Sequence, residues 1–136
     1  MTTHDAQHHF RRLIYTSAAA GDDQQRDHLD ILRQSRANNG LNGVSGLLWT
    51  DGAGYLQVLE GAPEAVSLTF DRIAGDPRHR NLRVVSDRVE RERAFGDWTM
   101  ASLPAERDGA VLRERVDRFL RVAPDDVRTA FHNVGF

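Results

Sequence analysis

The order of apolar patterns along the chain predicts an α+β fold with the element order β-α-β-β-α-β-β, followed by short C-terminal helices. Two stretches with helical periodicity each fall between strand-like runs, and one tight hairpin separates the two stretches. The chain has 136 residues, of which 40% are hydrophobic and 28% are charged. These values suit one globular domain that buries roughly two-thirds of its unfolded surface.

The N-terminal strand is predicted at Phe10–Ser17, where β-branched and aromatic residues precede small polar ones. Side chains alternate along a strand, so Leu13 and Tyr15 share one face and Ile14 points to the other. The polar segment Met1–His9 before this strand contains three histidines. A frayed terminus is the preferred interpretation of that segment, ahead of a metal site.

The two predicted internal helices carry start and stop signals. The first spans about residues 24–38 and is expected to end at the Asn/Gly signal of Ala37–Gly40. The second begins at Pro63, which suits the first turn of a helix, and ends at Gly75–Pro77. The apolar stripe of the second helix consists of Val66, Phe70 and Ile73.

The stretch Val44–Gly61 is interpreted as a β-hairpin with a glycine-bearing turn at Asp51–Gly54. In its second strand, alternation places Gln57 on one face together with Tyr55 and Leu59. A glutamine buried among such neighbours must find partners for its donor and its acceptor, or it costs a few kcal/mol. We therefore expect Gln57 to be hydrogen-bonded in the folded protein.

The rest of the chain supplies the remaining strands and two more helices. Arg78–Asn81 is a polar connection, Leu82–Val89 is a predicted strand, and Phe95–Ala101 suggests a turn followed by a short final strand. Gly109–Phe136 holds two short amphipathic patterns, which cover either the second face of the sheet or a partner. The whole order fits the ferredoxin-like fold, with both internal helices on one face of the sheet.

Composition excludes several function classes. All 18 basic residues are arginine and cysteine is absent, which excludes a Schiff-base lysine, a Walker lysine, a disulfide and a cysteine nucleophile. The net charge of −2 comes from scattered charges and gives no reason to expect nucleic acid. No apolar run approaches the ~20 residues that cross a bilayer, and no signal-peptide core is present, so we expect a cytoplasmic protein. The strand-end residue Glu60 is interpreted as a rim charge rather than a general acid.

A polar set remains on elements that are otherwise packed: Tyr15, Asn39, Gln57, Trp98 and Met100. Taken singly, each has an ordinary structural interpretation. Tyr15 is a core tyrosine with a satisfied hydroxyl, Asn39 caps a helix, and the late pair belongs to the core. Spacing alone does not choose between this interpretation and a binding site.

Six short motifs occur in order and at compatible spacing between Phe10 and Met100. They are YTS at 15–17, SRANNG at 35–40, SGLLW at 45–49, LQVLEG at 56–61, DPRHRN at 76–81 and FGDWTM at 95–100. Together they resemble BLUF domains, which are blue-light sensors that bind FAD without a covalent link. The resemblance implies the ferredoxin-like fold that the element order already predicts.

The resemblance also implies roles for the polar set. Tyr15 matches the tyrosine that donates an electron to the excited flavin. Gln57 matches the glutamine that bridges this phenol to the N5 and O4 edge of the flavin. Asn39 matches the asparagine that hydrogen-bonds the pyrimidine end of the ring. Trp98 and Met100 match the late-strand pair whose exchange relative to the flavin is disputed.

Four further residues are placed near the flavin by the same resemblance. Arg78 and His79 match a basic pair on the loop after the second helix, and Ser35 lies in the SRANNG motif. Arg36 faces the diphosphate of FAD or is a solvated charge at a helix end. FAD is the expected cofactor, with FMN and riboflavin as alternatives, and no metal is expected.

The expected division of the chain is a frayed segment at residues 1–9, a flavin-binding core at 10–102 and a helical extension at 103–136. Because no effector segment follows, we expect a photoreceptor without enzyme activity that acts on a separate effector protein, with no direct contact to nucleic acid or membrane. A homodimer is the default assembly on general grounds. Two alternatives stay open: a hydrolase that uses Arg78 and Asn81 on an anion, and a structural dimerisation module.

Overall fold

The computed structural model describes residues 9–19, 33–34, 36–40, 42–50, 54–77, 79–96, 101–103 and 109–134. The strands are β1 (Phe10–Ala19), β2 (Ser45–Thr50), β3 (Gly54–Gly61), β4 (His79–Glu90) and β5 (Ala101–Leu103). The helices are α1 (residues 33–34, 36–40 and 42), α2 (Pro63–Ala74), α3 (Gly109–Arg121) and α4 (Asp125–Asn133). The strands of this part of the chain form one five-stranded sheet in the order β4-β1-β3-β2-β5.

The sheet joins two split β-α-β units. β1 pairs antiparallel with both β3 and β4, and β2 pairs antiparallel with β3. β1 and β2 are therefore parallel with β3 between them, and β3 and β4 are parallel with β1 between them. Because such crossovers are right-handed, α1 and α2 lie on the same face of the sheet. The predicted ferredoxin-like fold is confirmed, and the short β5 adds to it at one edge, parallel to β2.

Each face of the sheet carries its own apolar cluster. The first cluster includes Leu13, Tyr15 and Leu59 and packs against Val66 of α2. The second cluster lies on the other face, where Ile14 and its neighbours pack against α3 and α4. The predicted faces of β1 are thus confirmed, and the C-terminal helices cover the second face of the sheet. The second cluster consists of Ile14, Leu47, Trp49, Leu56, Val58, Phe95, Leu112, Val116, Leu120, Ala123, Val127, Ala130 and Phe131.

α1 ends later than predicted. Gly40 and Asn42 are still helical, and Gly43 adopts the left-handed conformation with a φ of 68°. Val44 then donates its backbone N–H to the carbonyl oxygen of Asn39 at 2.9 Å, which is the long hydrogen bond of a Schellman motif. Asn39 therefore lies inside the last turn. The predicted Asn/Gly stop is wrong because Gly43 supplies the left-handed residue.

β4 begins earlier than predicted. Its pairing with β1 starts at His79, so His79–Asn81 belong to the strand rather than to a polar connection. Asn81 has a φ of 52°, and the register with β1 shifts between Thr16 and Ala18. Polar residues are tolerated here because β4 is an edge strand, and an irregular polar edge opposes pairing with another sheet.

The helices α2, α3 and α4 occur where the apolar patterns predict them. α2 begins with Pro63 in its first turn and ends at Gly75, as predicted. Its inward face carries Val66 and Thr69, whereas Leu68 is 63% exposed. Among the residues that the structure describes, no helix is long and apolar enough to cross a membrane.

Candidate functional site

Tyr15 and Gln57 meet on the face of the sheet that α2 covers. They are directly opposed residues of β1 and β3, two inner strands of the sheet. Both side chains are buried, with 1% and 0% of their surface exposed. The Tyr15 hydroxyl donates a hydrogen bond to Gln57 Oε1. Because the ladder between the two strands fixes both residues, the contact is held by the sheet rather than by a loop.

The surroundings of Tyr15 keep its phenol neutral. Phe70 of α2 contacts it edge-on, with ring centroids 5.1 Å apart and an interplanar angle of 73°. Burial raises the pKa of Tyr15 well above its ordinary value, because the phenolate would be desolvated. The hydroxyl therefore remains a proton donor at neutral pH, as its hydrogen bond to the Gln57 carbonyl oxygen requires.

Gln57 has one satisfied and one unsatisfied end. Its Oε1 accepts from Tyr15, but its Nε2 is buried and donates no hydrogen bond to any residue that the structure describes. A buried N–H donor in this state costs about 1–3 kcal/mol. The amide donor of Gln57 therefore requires an acceptor from outside the described part of the chain.

Asn39 is buried as well, with 1% of its surface exposed, although it lies in the last turn of α1. α1 leads into β2, and Leu48 of β2 pairs directly with Gln57. The chain therefore runs from Asn39 into the strand beside the Tyr15–Gln57 pair. A buried amide at this place suits a residue that hydrogen-bonds a ligand and suits a packed core amide equally, so the role of Asn39 stays a prediction.

The remaining predicted site residues fall into two groups. In the first, Arg36 is exposed on α1, and His79 opens β4, where its backbone pairs with that of Ala19. The second group lies outside the described residues and consists of Ser35, Arg78, Trp98 and Met100. Of the predicted site, the described structure brings Tyr15 and Gln57 into contact.

On the opposite face of β3, Glu60 is buried rather than exposed at a rim, with 1% of its surface accessible. Its carboxylate accepts hydrogen bonds from Arg12 Nε at 2.8 Å and from the backbone N–H groups of Ala94 and Phe95 at 2.7 Å each. The predicted rim charge is therefore wrong. Alternation places Glu60 on the apolar face of Val58, and Arg12 lies directly across the β1–β3 ladder from Glu60. Alternation is the sequence signal that could have shown its burial.

Arg12 extends this contact from the sheet to the C-terminal helices. Its Nη2 donates to the Glu92 carbonyl oxygen at 3.0 Å, and its Nη1 lies 3.7 Å from a Glu90 carboxylate oxygen. The guanidinium also lies over the Phe119 ring of α3, 5.2 Å from the ring centroid. One buried carboxylate and one arginine therefore join β1, β3, the segment after β4, and α3.

The fold and the pair together define a class of protein. A small ferredoxin-like domain that buries a neutral phenol–amide pair, with an amide donor still to be satisfied, has the features of a ligand-binding domain. The family model described as "BLUF: Sensors of blue-light using FAD" matches residues 10–101. The chain belongs to the BLUF family.

Relatives and solved structures agree with this assignment. The photoactivated adenylate cyclase subunit beta of Euglena gracilis is 32% identical over 92 residues, which cover 66% of this chain and 11% of that protein. The blue light- and temperature-regulated antirepressor BluF of Escherichia coli (strain K12) is 31% identical over 70 residues, which cover 52% of this chain and 17% of that protein. The dark-state structure of BlrB, a BLUF protein, superposes with a TM-score of 0.70 at 29% identity and covers 88% of this chain and 89% of that chain. The chain thus spans a small part of these two relatives and most of BlrB.

The described pair fits the flavin that the family is described as using. Oxidised flavin presents hydrogen-bond acceptors at N5 and O4, and Gln57 Nε2 is a buried donor with no acceptor among the described residues. A carboxylate at position 57 would instead place acceptors against acceptors. A neutral amide at position 57 therefore fits this cofactor better than a carboxylate does.

Proposed function

We propose that this protein is a blue-light photoreceptor that binds FAD non-covalently and uses Tyr15 and Gln57 as a hydrogen-bond switch. The observation that carries the proposal is the half-satisfied amide of Gln57, whose Oε1 is bound to Tyr15 and whose buried Nε2 has no acceptor in the described structure. A flavin edge supplies that acceptor. FMN and riboflavin present the same edge, so they stay alternatives to FAD.

In this proposal the chain holds the cofactor from the face of the sheet that α2 covers. Tyr15 and Gln57 hold one edge of the ring, and Asn39 hydrogen-bonds its pyrimidine end. When bound, FAD supplies a blue-light absorber whose excited state accepts an electron. The family resemblance supports a further set of flavin-site residues: Ser35, Arg36, Arg78, His79, Trp98 and Met100.

The switch needs no charged side chain. On illumination Tyr15 would donate an electron to the flavin held beside it. Its phenolic proton would be relayed through the Gln57 amide, which would take up a proton at Oε1 and release one from Nε2. Rotation or tautomerisation of the amide then exchanges its donor and acceptor ends. Return of the electron and the proton leaves a neutral Tyr15 facing a rearranged Gln57. Because unpaired buried groups are costly, the pair settles in one of two satisfied arrangements, and the second persists long enough to signal.

In this proposal the domain transmits the change at Gln57 to an effector and catalyses no reaction of its own. Its relatives include photoactivated adenylate cyclase subunits and a blue light-regulated antirepressor, so similar light-sensing regions occur in proteins with different outputs. For this chain we propose a separate effector protein, a cytoplasmic location and a homodimer as the default assembly. The proposed division remains a lead-in at residues 1–9, a flavin-binding core at 10–102 and a helical extension at 103–136.

Light–dark difference spectroscopy of the purified protein tests the proposal. We expect a yellow protein whose flavin absorption shifts to the red under blue light and recovers in darkness. Gln57→Leu and Tyr15→Phe are expected to keep the flavin and lose the shift. Tyr55→Phe is the matched control, because it removes a buried phenol hydroxyl from the same apolar cluster but not the one that Gln57 accepts from.

Each negative outcome contradicts a different part of the proposal. A colourless protein would favour the hydrolase or the dimerisation module instead. A flavin that binds without a spectral shift would remove the switch and leave the fold assignment intact. An unchanged difference spectrum in Gln57→Leu or Tyr15→Phe would show that the roles of these residues are misassigned.

A further inference from the structure

A groove of about 830 Å³ lies between β4 and the helices α3 and α4. Ile14 and Ser86 line it from the sheet, and Phe119 and Val127 line it from the helices. Ile14 and Val127 belong to the second apolar cluster and Phe119 packs against it, on the face opposite the Tyr15–Gln57 pair. The groove is therefore separate from the proposed flavin site, and its volume is in the range of ligand-binding clefts.

The groove is basic although the chain as a whole is slightly acidic. Its lining contains six arginines and two glutamates, whereas the full chain has a formal net charge of −2. Clustering charges of one sign in a cleft concentrates the positive field there and attracts a negative ligand. The arginines are Arg12, Arg88, Arg91, Arg93, Arg115 and Arg118.

Existing contacts identify which of these arginines are left for a ligand. Arg12 is paired with the buried Glu60, and Arg118 pairs with Glu114 at 3.2 Å. Arg88 and Arg91 are exposed, and neither forms an ion pair with any residue in the described part of the chain. These two guanidinium groups therefore carry positive charge that nothing in the described structure neutralises.

The groove also offers apolar contacts. Phe119 and Val127 contribute to its lining, and Val122 beside them is 85% exposed. Such a surface suits a ligand that carries apolar side chains together with carboxylates. A nucleic acid would place phosphates on the arginines but would bring no aliphatic side chain to Val122. The observations therefore favour a polypeptide.

The wall of the groove is connected to the strand that carries Gln57. Arg12 and Ala94 line the groove, and both donate hydrogen bonds to the carboxylate of Glu60 on β3. Glu60 follows Gln57 on that strand. A displacement of β3 caused by the switch at Gln57 would therefore reach the groove through Glu60.

We propose that this groove binds an acidic segment of the effector protein, with carboxylates on Arg88 and Arg91 and an apolar side chain against Val122. Binding itself depends on the charge and the shape of the groove. Its control by light rests on the proposed function, because only the switch at Gln57 would make the affinity differ between darkness and illumination.

The test measures binding of a short peptide of alternating glutamate and leucine to the flavin-loaded full chain. The peptide carries a red-excited dye so that anisotropy can be read without blue excitation, both in darkness and under blue light. We expect binding that weakens with added salt, and a loss of about tenfold or more in the Arg88→Glu/Arg91→Glu double variant. Val122→Ser is expected to weaken binding without altering charge.

Arg83→Glu is the matched control, because Arg83 is an exposed β4 residue that does not line the groove. It lies roughly 16 Å along the strand from Arg88, which exceeds the screening length of about 8 Å at physiological salt. We expect it to bind the peptide as the wild type does. Equal loss in this variant and in the double variant would overturn the proposal, since a general charge effect would then explain both.

Other outcomes separate the groove from the light switch. A wild-type chain that photoconverts but does not bind the peptide overturns the groove and leaves the photoreceptor intact. A chain that binds the peptide but shows no photoconversion supports the groove and refutes the switch. A short DNA duplex that binds more tightly than the peptide, with the same loss in the double variant, overturns the choice of a polypeptide.

Discussion

Replacing Glu60 by glutamine is predicted to destabilise the protein by about 3 kcal/mol. The carboxylate is 1% exposed and accepts three hydrogen bonds. Oε2 accepts from Arg12 Nε at 2.8 Å and from the Ala94 N–H at 2.7 Å, and Oε1 accepts from the Phe95 N–H at 2.7 Å. All three hydrogen bonds therefore need an acceptor oxygen on the side chain of residue 60.

An amide at position 60 cannot satisfy all three donors. If its oxygen replaces Oε2, its NH₂ group faces the Phe95 N–H, and a buried donor left unsatisfied costs about 1–3 kcal/mol. The change also removes the charge that neutralises Arg12, whose side chain is 15% exposed. Breaking a buried pair on one side costs about 3–5 kcal/mol, but the Glu90 carboxylate 3.7 Å from Arg12 compensates in part. The predicted loss in free energy of unfolding is therefore about 3 kcal/mol, at the lower end of the range for breaking a buried pair.

Urea unfolding of the flavin-loaded protein, at one fixed flavin concentration, measures this loss. We expect the midpoint to fall while the slope of free energy against urea stays unchanged. Glu64→Gln is the matched control, because Glu64 is exposed in the first turn of α2 and its loss should cost no more than about 1 kcal/mol. A Glu60→Gln variant as stable as this control would refute the reasoning, since the carboxylate would then be solvated in the folded protein.

Three further predictions concern the strands and the proposed flavin site. Gly46→Ala should cost about 2 kcal/mol in urea unfolding, because a Cβ at this position lies 1.9 Å from the Val58 carbonyl oxygen; an unchanged midpoint would show that β2 can move away from β3 at no cost. The raised pKa of Tyr15 means that the folded state keeps a proton that the unfolded state loses, so its contribution to stability is complete below about pH 10 and is lost as the pH rises further. The free energy of unfolding, measured across this pH range, should fall, and the fall should be smaller in Tyr15→Phe. An equal fall in that variant would show that other groups cause it. Asn39→Ala should lower the flavin retained after gel filtration, whereas retention equal to wild type would argue against a ligand contact by this buried amide.

Side-chain periodicity determined how much of the sheet could be predicted from the sequence. Alternation placed Leu13 and Tyr15 on one face and Ile14 on the other, because a slip of one residue would expose the whole apolar set. Alternation could not show that Tyr15 lies opposite Gln57. That register joins two strands distant in sequence, and tertiary packing sets it. The flavin contact of this pair was inferred from the resemblance to BLUF domains rather than from the pattern.

The errors have local physical causes. Gly40 and Gly43 both suit the end of a helix, and the choice of Gly43 depends on the hydrogen bond that Val44 donates back to the last turn of α1. Charged residues at strand ends are usually exposed, so the sequence predicts a surface position for Glu60. The burial of Glu60 requires Arg12 together with two backbone N–H donors from the segment after β4. No sequence pattern predicts the position of those two donors.

Gln57 and Glu60 lie on opposite faces of the same strand, and under the proposed switch this arrangement would determine where the change emerges. β3 is an inner strand, hydrogen-bonded to β1 on one side and to β2 on the other, so it can move only with its neighbours. The hydrogen bonds that the Ala94 and Phe95 N–H groups donate to Glu60 are short and charge-assisted, and such bonds are lost at a higher free-energy cost than neutral ones. A displacement of β3 should therefore carry the segment after β4 with it instead of breaking these bonds. We accordingly expect this segment, rather than β3 itself, to present the change to an effector.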